Sequence, residues 1–206
     1  MNSPRRLVAV LQARTSSSRL PAKVLLPVRG IPVAVLAALR AGRDGLEVRL
    51  ATSIDPTDDV LAETAAGYGI DVTRGSLLDP LSRFAQATTD LAGRDLVVRL
   101  TADNTLPDSA LLRELADELS RLGLPYLRTS PEKGLPYGVS AEIFSVDALR
   151  QAHAAATGSA EREHVTPWVR AKFGDAVFAR YANPDRWSQL RATIDSFGDY
   201  DRIGRV

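Results

Sequence analysis

The chain has 206 residues, of which 45% are hydrophobic and 25% are charged, and its formal net charge is +1. This length and composition are typical of one globular domain with a sizeable core, and the near-neutral charge does not indicate a nucleic-acid partner. The sequence has no cysteine, which excludes disulfides, thiolate metal sites and cysteine nucleophiles.

The apolar segments are too short for export or for a membrane span. Residues 7–11 follow two arginines, but five apolar residues are too few for the core of a signal peptide. The longest apolar run, residues 31–39, is too short to cross a bilayer. We therefore expect a cytoplasmic protein without a membrane partner.

Apolar runs alternate with amphipathic segments over the first 123 residues. Strands are predicted over residues 6–13, 47–53, 70–75 and 95–103. Helices are predicted over residues 32–42, 55–69, 79–93 and 107–123. Because strands that alternate with helices at this spacing form a mostly parallel sheet covered on both faces, we predict an α/β sandwich with three layers.

The alternation loosens after residue 124. Strands that are partly antiparallel are predicted over residues 124–131 and 137–145, and a last strand over residues 190–195. Helices are predicted over residues 145–157 and 160–174, the second of them kinked or delimited by Pro167. Without repeats or a linker, the simplest interpretation is a single domain over residues 1–206.

The segment that follows the first strand is basic and rich in serine. Residues 11–25 read LQARTSSSRLPAKVL and contain Arg14, Arg19 and Lys23 but no acid. Ligands of α/β sheets bind at the carboxyl ends of the strands, where arginine, lysine and hydroxyl donors suit phosphate oxygens. The loop is neither a Walker loop nor GxGxxG. We predict that it binds the triphosphate of a nucleotide, and the alternative is a solvated basic surface loop.

Two aspartates end predicted strands at the same edge of the sheet. Asp103 ends the strand VVRLTAD, and Asp195 ends the strand LRATID. Nucleotidyl transfer uses a divalent cation, and magnesium in proteins is held by a few carboxylates together with phosphate and water. Each aspartate alone could equally cap a helix. Together with the basic loop, they predict a magnesium site.

These residues together resemble the cytidylyltransferase family of acid sugars, which includes the CMP-ketodeoxyoctonate and CMP-sialic acid synthetases and the SpsF-type proteins of spore-coat polysaccharide biosynthesis. The family loop, roughly Gln/Pro-Ala-Arg-x-Gly-Ser-x-Arg-Leu-Pro-x-Lys, is matched by QARTSSSRLPAK at residues 12–23. Later blocks match in the same order: ATSIDPTDD, VTRGSLLDPLSRF, RLTADNTLPD, YGVSAEIFSVDAL, EREHVTPWV and RATIDSFGDYDRI.

The resemblance implies a Rossmann-like fold of the nucleotide-diphospho-sugar transferase (GT-A) type and the transfer of CMP from CTP to an acidic sugar or similar small acid, with release of pyrophosphate. Its implied catalytic residues are Arg14, Lys23, Asp103 and Asp195, and the two aspartates would bind Mg²⁺. The implied nucleotide-binding residues are Gln12, Ala13, Arg14, Ser17, Arg19 and Lys23 in the loop, with Thr52, Ser53, Arg74 and Gly75 walling the base and ribose.

For the acceptor, the weaker candidates are Glu142, Glu163 and His164. Members of the family pair as dimers through the partly antiparallel segment that corresponds to residues 124–145. The resemblance therefore also implies a homodimer.

Three departures from the family pattern leave alternatives open. The loop glycine is Ser16, the glycine before the predicted metal ligand is Ala102, and Cys-Pro after that ligand is Asn104-Thr105. The alternatives are a nucleotidyltransferase that uses UTP, GTP or ATP, a cytidylyltransferase with a phosphonate acceptor, and an inactive nucleotide-binding homologue. The first usually has a glycine-rich loop, whereas this loop has no glycine.

Overall fold

The computed structural model describes residues 4–179, 187 and 190–205. The strands in these residues are β1 (Leu7–Gln12), β2 (Pro27–Val28), β3 (Ile31–Pro32), β4 (Glu47–Ser53), β5 (Asp71–Gly75), β6 (Leu96–Thr101), β7 (Tyr126–Arg128) and β8 (Glu142–Ser145). The α-helices are α1 (Val33–Ala41), α2 (Asp59–Gly67), α3 (Pro80–Gln86), α4 (Ser109–Leu122), α5 (Val146–Ala155), α6 (Ser159–His164), α7 (Pro167–Phe173) and α8 (Phe197–Gly204).

Six of the strands form one mixed sheet in the order β5-β4-β1-β6-β8-β7. The first four strands of that order are parallel, so their carboxyl ends meet at one edge. Strand β8 is antiparallel to both β6 and β7, as predicted for the region after residue 124. Strands β2 and β3 form a small separate hairpin, which the sequence analysis did not predict.

Helices cover both faces of the sheet because its central strands are apolar on both sides. In β1, Ala9 and Leu11 pack into the core beneath α1, α2 and α4, whereas Val8 and Val10 pack into the core beneath α3, α5 and α7. The predicted three-layer α/β fold is therefore confirmed. Among the helices described, none has the length and apolarity that crossing a membrane requires.

The helix predicted over residues 160–174 is divided before Pro167 into α6 and α7, and the strand predicted over residues 137–145 is observed only as β8. Two further predicted elements differ more from the structure. The helix expected over residues 79–93 ends at Gln86, because the chain then tightens into turns and the Thr88 hydroxyl donates back to the carbonyl of Phe84. The prediction of a strand over residues 190–195 is wrong. This segment makes isolated bridges to Asn104 and Tyr137, which lie in loops, so it cannot join the sheet as a strand.

Candidate active site

The carboxyl ends of β1 and β6 open into a cleft of about 380 Å³. Its lining consists of residues 12–14, 16–19, 23–24 and 101–103. The basic loop therefore lies where α/β sheets bind their ligands, and it faces the segment that contains Asp103.

The loop is folded on itself and anchored to the end of β4. The carbonyl of Thr15 accepts hydrogen bonds from the amides of Ser17 (2.8 Å) and Ala22 (2.9 Å). The buried carboxylate of Asp58 accepts from the amide and hydroxyl of Thr15, both at 2.7 Å, and from the hydroxyl of Ser53. Burial raises the pKa of Asp58, but these hydrogen bonds from Ser53 and Thr15 outweigh it, so that the pKa lies below its ordinary value.

Loop contacts bring the two predicted acids together. The amide of Ile194 donates to the carbonyl of Asp103 at 2.8 Å, and the amide of Thr105 donates to the carbonyl of Ala192 at 3.1 Å. These bonds hold the segment before Asp195 against the segment after β6. The two aspartates therefore lie side by side, although Asp195 does not end a strand of the sheet.

Lys23 joins the basic loop to both acids. Its Nζ lies 3.1 Å from Asp103 Oδ2, 2.9 Å from Asp195 Oδ1 and 2.8 Å from the carbonyl oxygen of Ile194. The lysine is only 7% exposed. Arg19, which is mostly exposed, also donates to Asp195 Oδ1 at 2.8 Å. Two cations and two carboxylates thus meet at the cleft, although Asp195 lies behind Lys23 and Arg19 and is not itself among the lining residues.

Helix α8 holds Asp195 from the other side. The carboxylate of Asp199 accepts from the amides of Asp195 (3.1 Å) and Ser196 (3.0 Å), and from the Ser196 hydroxyl. Burial raises the pKa of Asp199, but the bonds from Ser196 and from the backbone outweigh it and leave the pKa lowered. The helix start therefore fixes the backbone from which Asp195 projects.

The remaining predicted nucleotide residues lie at the ends of β4 and β5, beside the lining of the cleft rather than in it. Thr52 and Ser53 are buried. Arg74 donates to the carbonyl of Ser53 at 2.9 Å and pairs with Asp59 at 2.5 Å. Gly75 packs so closely on α3 that an added Cβ would lie 2.9 Å from Arg83 Cγ.

The three acceptor candidates lie in different environments. Glu163 and His164 are exposed on α6, and Glu163 lies 3.9 Å from Arg14. Glu142 is largely buried and already engaged, since Arg99 and the hydroxyl of Tyr126 each donate to its carboxylate at 2.6 Å.

Glu142 is nevertheless connected to the cleft through Arg99. Burial raises the pKa of Glu142, but the charge of Arg99 and the hydrogen bonds from Thr166, Tyr126 and Arg99 leave it below its ordinary value. Arg99 in turn donates to Gln12 Oε1 at 3.4 Å, and Gln12 lines the cleft. Glu142 therefore orients Arg99 and, through it, Gln12.

Sequence reasoning missed two buried charged residues. Asp58 lies in the run DPTDD, where an acid is most simply explained as part of a helix start, and no sequence signal marks it as the anchor of Thr15. Arg83 lies in the quoted block VTRGSLLDPLSRF, and its position three residues after Pro80 on an apolar helix face was the available signal.

The donor set for a metal is small. Within the described ranges, no group of three or more His, Asp or Glu side chains converges as a metal cage. Asp103 and Asp195 do reach one common point, because both contact the same ammonium group.

Comparisons with known proteins identify the family of the chain. A family model described as cytidylyltransferase matches residues 8–200. An uncharacterised protein of Methanocaldococcus jannaschii, MJ1063, is 32% identical over 95% of this chain and 80% of its own length. The spore coat polysaccharide biosynthesis protein SpsF of Bacillus subtilis is 30% identical over 96% of this chain and 84% of its own length.

A solved structure shows the same arrangement of elements. A cytidylyltransferase from Leptospira borgpetersenii superposes with a TM-score of 0.85 at 28% identity, over 98% of this chain and 86% of that one. The family model and these relatives span nearly the whole chain, and the fold agrees with the solved structure. The chain belongs to the cytidylyltransferase family.

Proposed function

We propose that the chain transfers the cytidylyl group of CTP to an oxygen of a small acidic acceptor and releases pyrophosphate. The observation that carries this proposal is the meeting of Lys23 and Arg19 with Asp103 and Asp195 at one cleft. Lysine is rarely buried unless it is paired, and here the paired lysine lies at the edge of the sheet where ligands bind.

The loop residues suit the triphosphate. Arg14, Ser17 and Arg19 line the cleft as guanidinium and hydroxyl donors, and Lys23 lies at its base. We assign these side chains to the phosphates, and Gln12 and Ala13 to the back of the cytidine. Thr52, Ser53, Arg74 and Gly75 are assigned to the wall beside the base and ribose, at the ends of the neighbouring strands.

Magnesium fits the donor set. Mg²⁺ is usually held by one or two carboxylates, with substrate phosphates and water completing its shell. Asp103 and Asp195 would hold it, since their carboxylates face one point and Asp103 opens to the cleft. When bound, it would neutralise charge on the phosphate oxygens.

The reaction needs positioning and charge neutralisation more than a dedicated base. An acceptor oxygen attacks the α-phosphorus and forms the new P–O bond, while the bond to the oxygen that bridges to the β-phosphate breaks. A proton on the attacking oxygen passes to solvent. Arg14 and Lys23 stabilise the pyrophosphate that leaves, because its negative charge grows as the bond breaks.

We assign the acceptor to the part of the cleft that lies near Arg14 and Gln12. Glu163 and His164 are exposed near Arg14, and Glu142 acts there through Arg99 and Gln12. An acid sugar is the acceptor that we favour, because the similar SpsF protein is named for polysaccharide biosynthesis. A phosphonate would use the same nucleotide residues.

We further propose a cytoplasmic homodimer that pairs through residues 124–145. The exposed ring of Tyr137 within this range supports the pairing. Sedimentation equilibrium tests it, and a monomer at micromolar concentration would contradict it.

The decisive experiment incubates the protein with labelled CTP, Mg²⁺ and a panel of sugar acids and phosphonates, and searches for a CMP conjugate. With the acceptor found, we expect Asp103→Asn to lower pyrophosphate release by about two orders of magnitude, a loss comparable to removing one electrostatic catalytic group. Its circular dichroism spectrum should match the wild type. A fully active D103N variant would remove Asp103 from the metal site.

A further inference from the structure

Arg83, on α3, is a buried cation without a hydrogen-bond partner. It is 0% exposed, and in the described part of the chain its Nε, Nη1 and Nη2 atoms all lack an acceptor. A guanidinium carries five N–H donors and a permanent charge, and burying it unpaired is strongly unfavourable. Packing alone therefore does not explain this residue.

The nearest acids do not compensate the charge of Arg83 by direct contact. The carboxylate of Asp58 accepts from Thr15 and Ser53, and the carboxylate of Asp79 accepts from the Ser82 amide at 2.9 Å and from Arg162. Both acids act on Arg83 only at longer range. The guanidinium thus retains its full donor capacity.

Arg83 lies at the same edge of the sheet as the cleft. Its Cγ packs against Gly75, the last residue of β5, where an added Cβ would lie 2.9 Å away. Burial lowers the pKa of Arg83, the charge of Asp58 offsets part of this effect, and the charge of Arg14, which lines the cleft, lowers the pKa again. Two cations that repel one another at a ligand edge are an arrangement that a bound anion relieves.

We propose that Arg83 and Arg14 together bind one oxyanion of the substrates, either a phosphate of the nucleotide or the acid group of the acceptor. The proposal rests on the proposed function, which supplies both anions. Arg14 is half-exposed and its pair with Glu163 spans 3.9 Å, so an anion displaces that pair at little cost. Arg83 then donates from beneath, and its charge is neutralised.

The test compares Arg83→Met and Arg83→Lys with the wild type, and uses Arg121→Met, an exposed arginine on α4, as the matched control. In the absence of ligand, R83M should unfold at no lower temperature than the wild type, because an unpaired buried charge is removed while the apolar stem remains. Calorimetric titration then follows the ligand that supplies the oxyanion, beginning with CTP and Mg²⁺ in a first arm. Binding of that ligand should be weakened about tenfold to a hundredfold in R83M, R83K being intermediate and R121M unchanged.

A second arm distinguishes the two sources of the anion. Ketodeoxyoctonate is titrated into protein saturated with CDP and Mg²⁺. Weakened CTP binding in R83M assigns the oxyanion to the nucleotide, whereas a loss confined to the second arm assigns it to the acceptor. Unchanged binding in both arms overturns the proposal, and so does failure of both Arg83 variants to fold without ligand. A wild type that binds no CTP instead overturns the proposed function, and this proposal with it.

Discussion

At the scale of single residues, Lys23 connects the acids to the loop, and its removal has a predictable cost. Lys23→Met keeps most of the apolar stem but leaves Asp103 and Asp195 facing one another without the ammonium group. In magnesium-free buffer we expect the free energy of unfolding to fall by about 3 kcal/mol, as when one partner of a buried ion pair is removed. Urea denaturation measures this loss.

Magnesium should reduce that deficit, because a cation bound by the two carboxylates replaces the missing charge. Lys172→Met is the control, since Lys172 is exposed on α7 and its loss should change stability by less than about 0.5 kcal/mol. Equal stability of K23M and wild type without magnesium would mean that the buried contacts do not stabilise the protein.

Residue types and positions made part of the site predictable. The cations of the loop and Asp103 were selected because they follow predicted strands at the edge where ligands bind, and Asp195 was selected from a strand prediction that is wrong. Asp58 and Arg83 were missed because their importance lies in burial, which the sequence does not display for a charged residue. A helix cap does lie next to Asp195, but Ser196 and Asp199 form it, and Asp195 does not.

At the scale of elements, the position of Asp195 depends on the approach of two loops. Gly138 has a φ of 96°, and an added Cβ would lie 2.7 Å from the carbonyl carbon of Ala192 and the amide nitrogen of Thr193. We expect Gly138→Ala to push the 190–195 segment away from Asp103 and to lower stability by about 2 kcal/mol. Activity should fall more than this loss of folded protein explains.

The matched control is Gly67→Ala. Gly67 lies in α2 with open space around its Cβ position, so alanine should leave activity unchanged and raise stability by up to about 1 kcal/mol. Crystallography of G138A tests the cause directly. A variant in which Ile194 still donates to the Asp103 carbonyl would contradict the expected displacement.

Elements with their own end signals were predictable, and those that depend on distant contacts were not. The helix predicted over residues 107–123 is observed as α4, because Asp108 caps its start and Gly123, at a φ of 64°, ends it. The apolar pattern of residues 190–195 suits a strand equally well. Only the folded chain shows that its backbone bonds go to loop residues instead.

At the scale of the whole molecule, the site exists only when the fold is complete. Arg19 and Asp195 are 176 positions apart in sequence, and Lys23 and Asp103 are 80 apart, yet all four side chains meet. An unfolded chain cannot hold them together, so a ligand of this cleft binds the folded state alone. Such binding must raise the stability of the entire protein.

CTP with magnesium should therefore shift the unfolding temperature. At a concentration 100 times its dissociation constant, a ligand that binds only the folded state adds about 2.7 kcal/mol, which corresponds to roughly 5–10 °C for a chain of this size. Differential scanning fluorimetry with CTP, UTP, GTP and ATP, each with and without Mg²⁺, measures the shift. A magnesium-dependent response that is largest for CTP is expected, and it excludes the UTP, GTP and ATP alternatives. A response of equal size to all four nucleotides would show that the cleft binds the triphosphate without selecting the base. The absence of any shift would contradict the assignment of this cleft to a nucleotide.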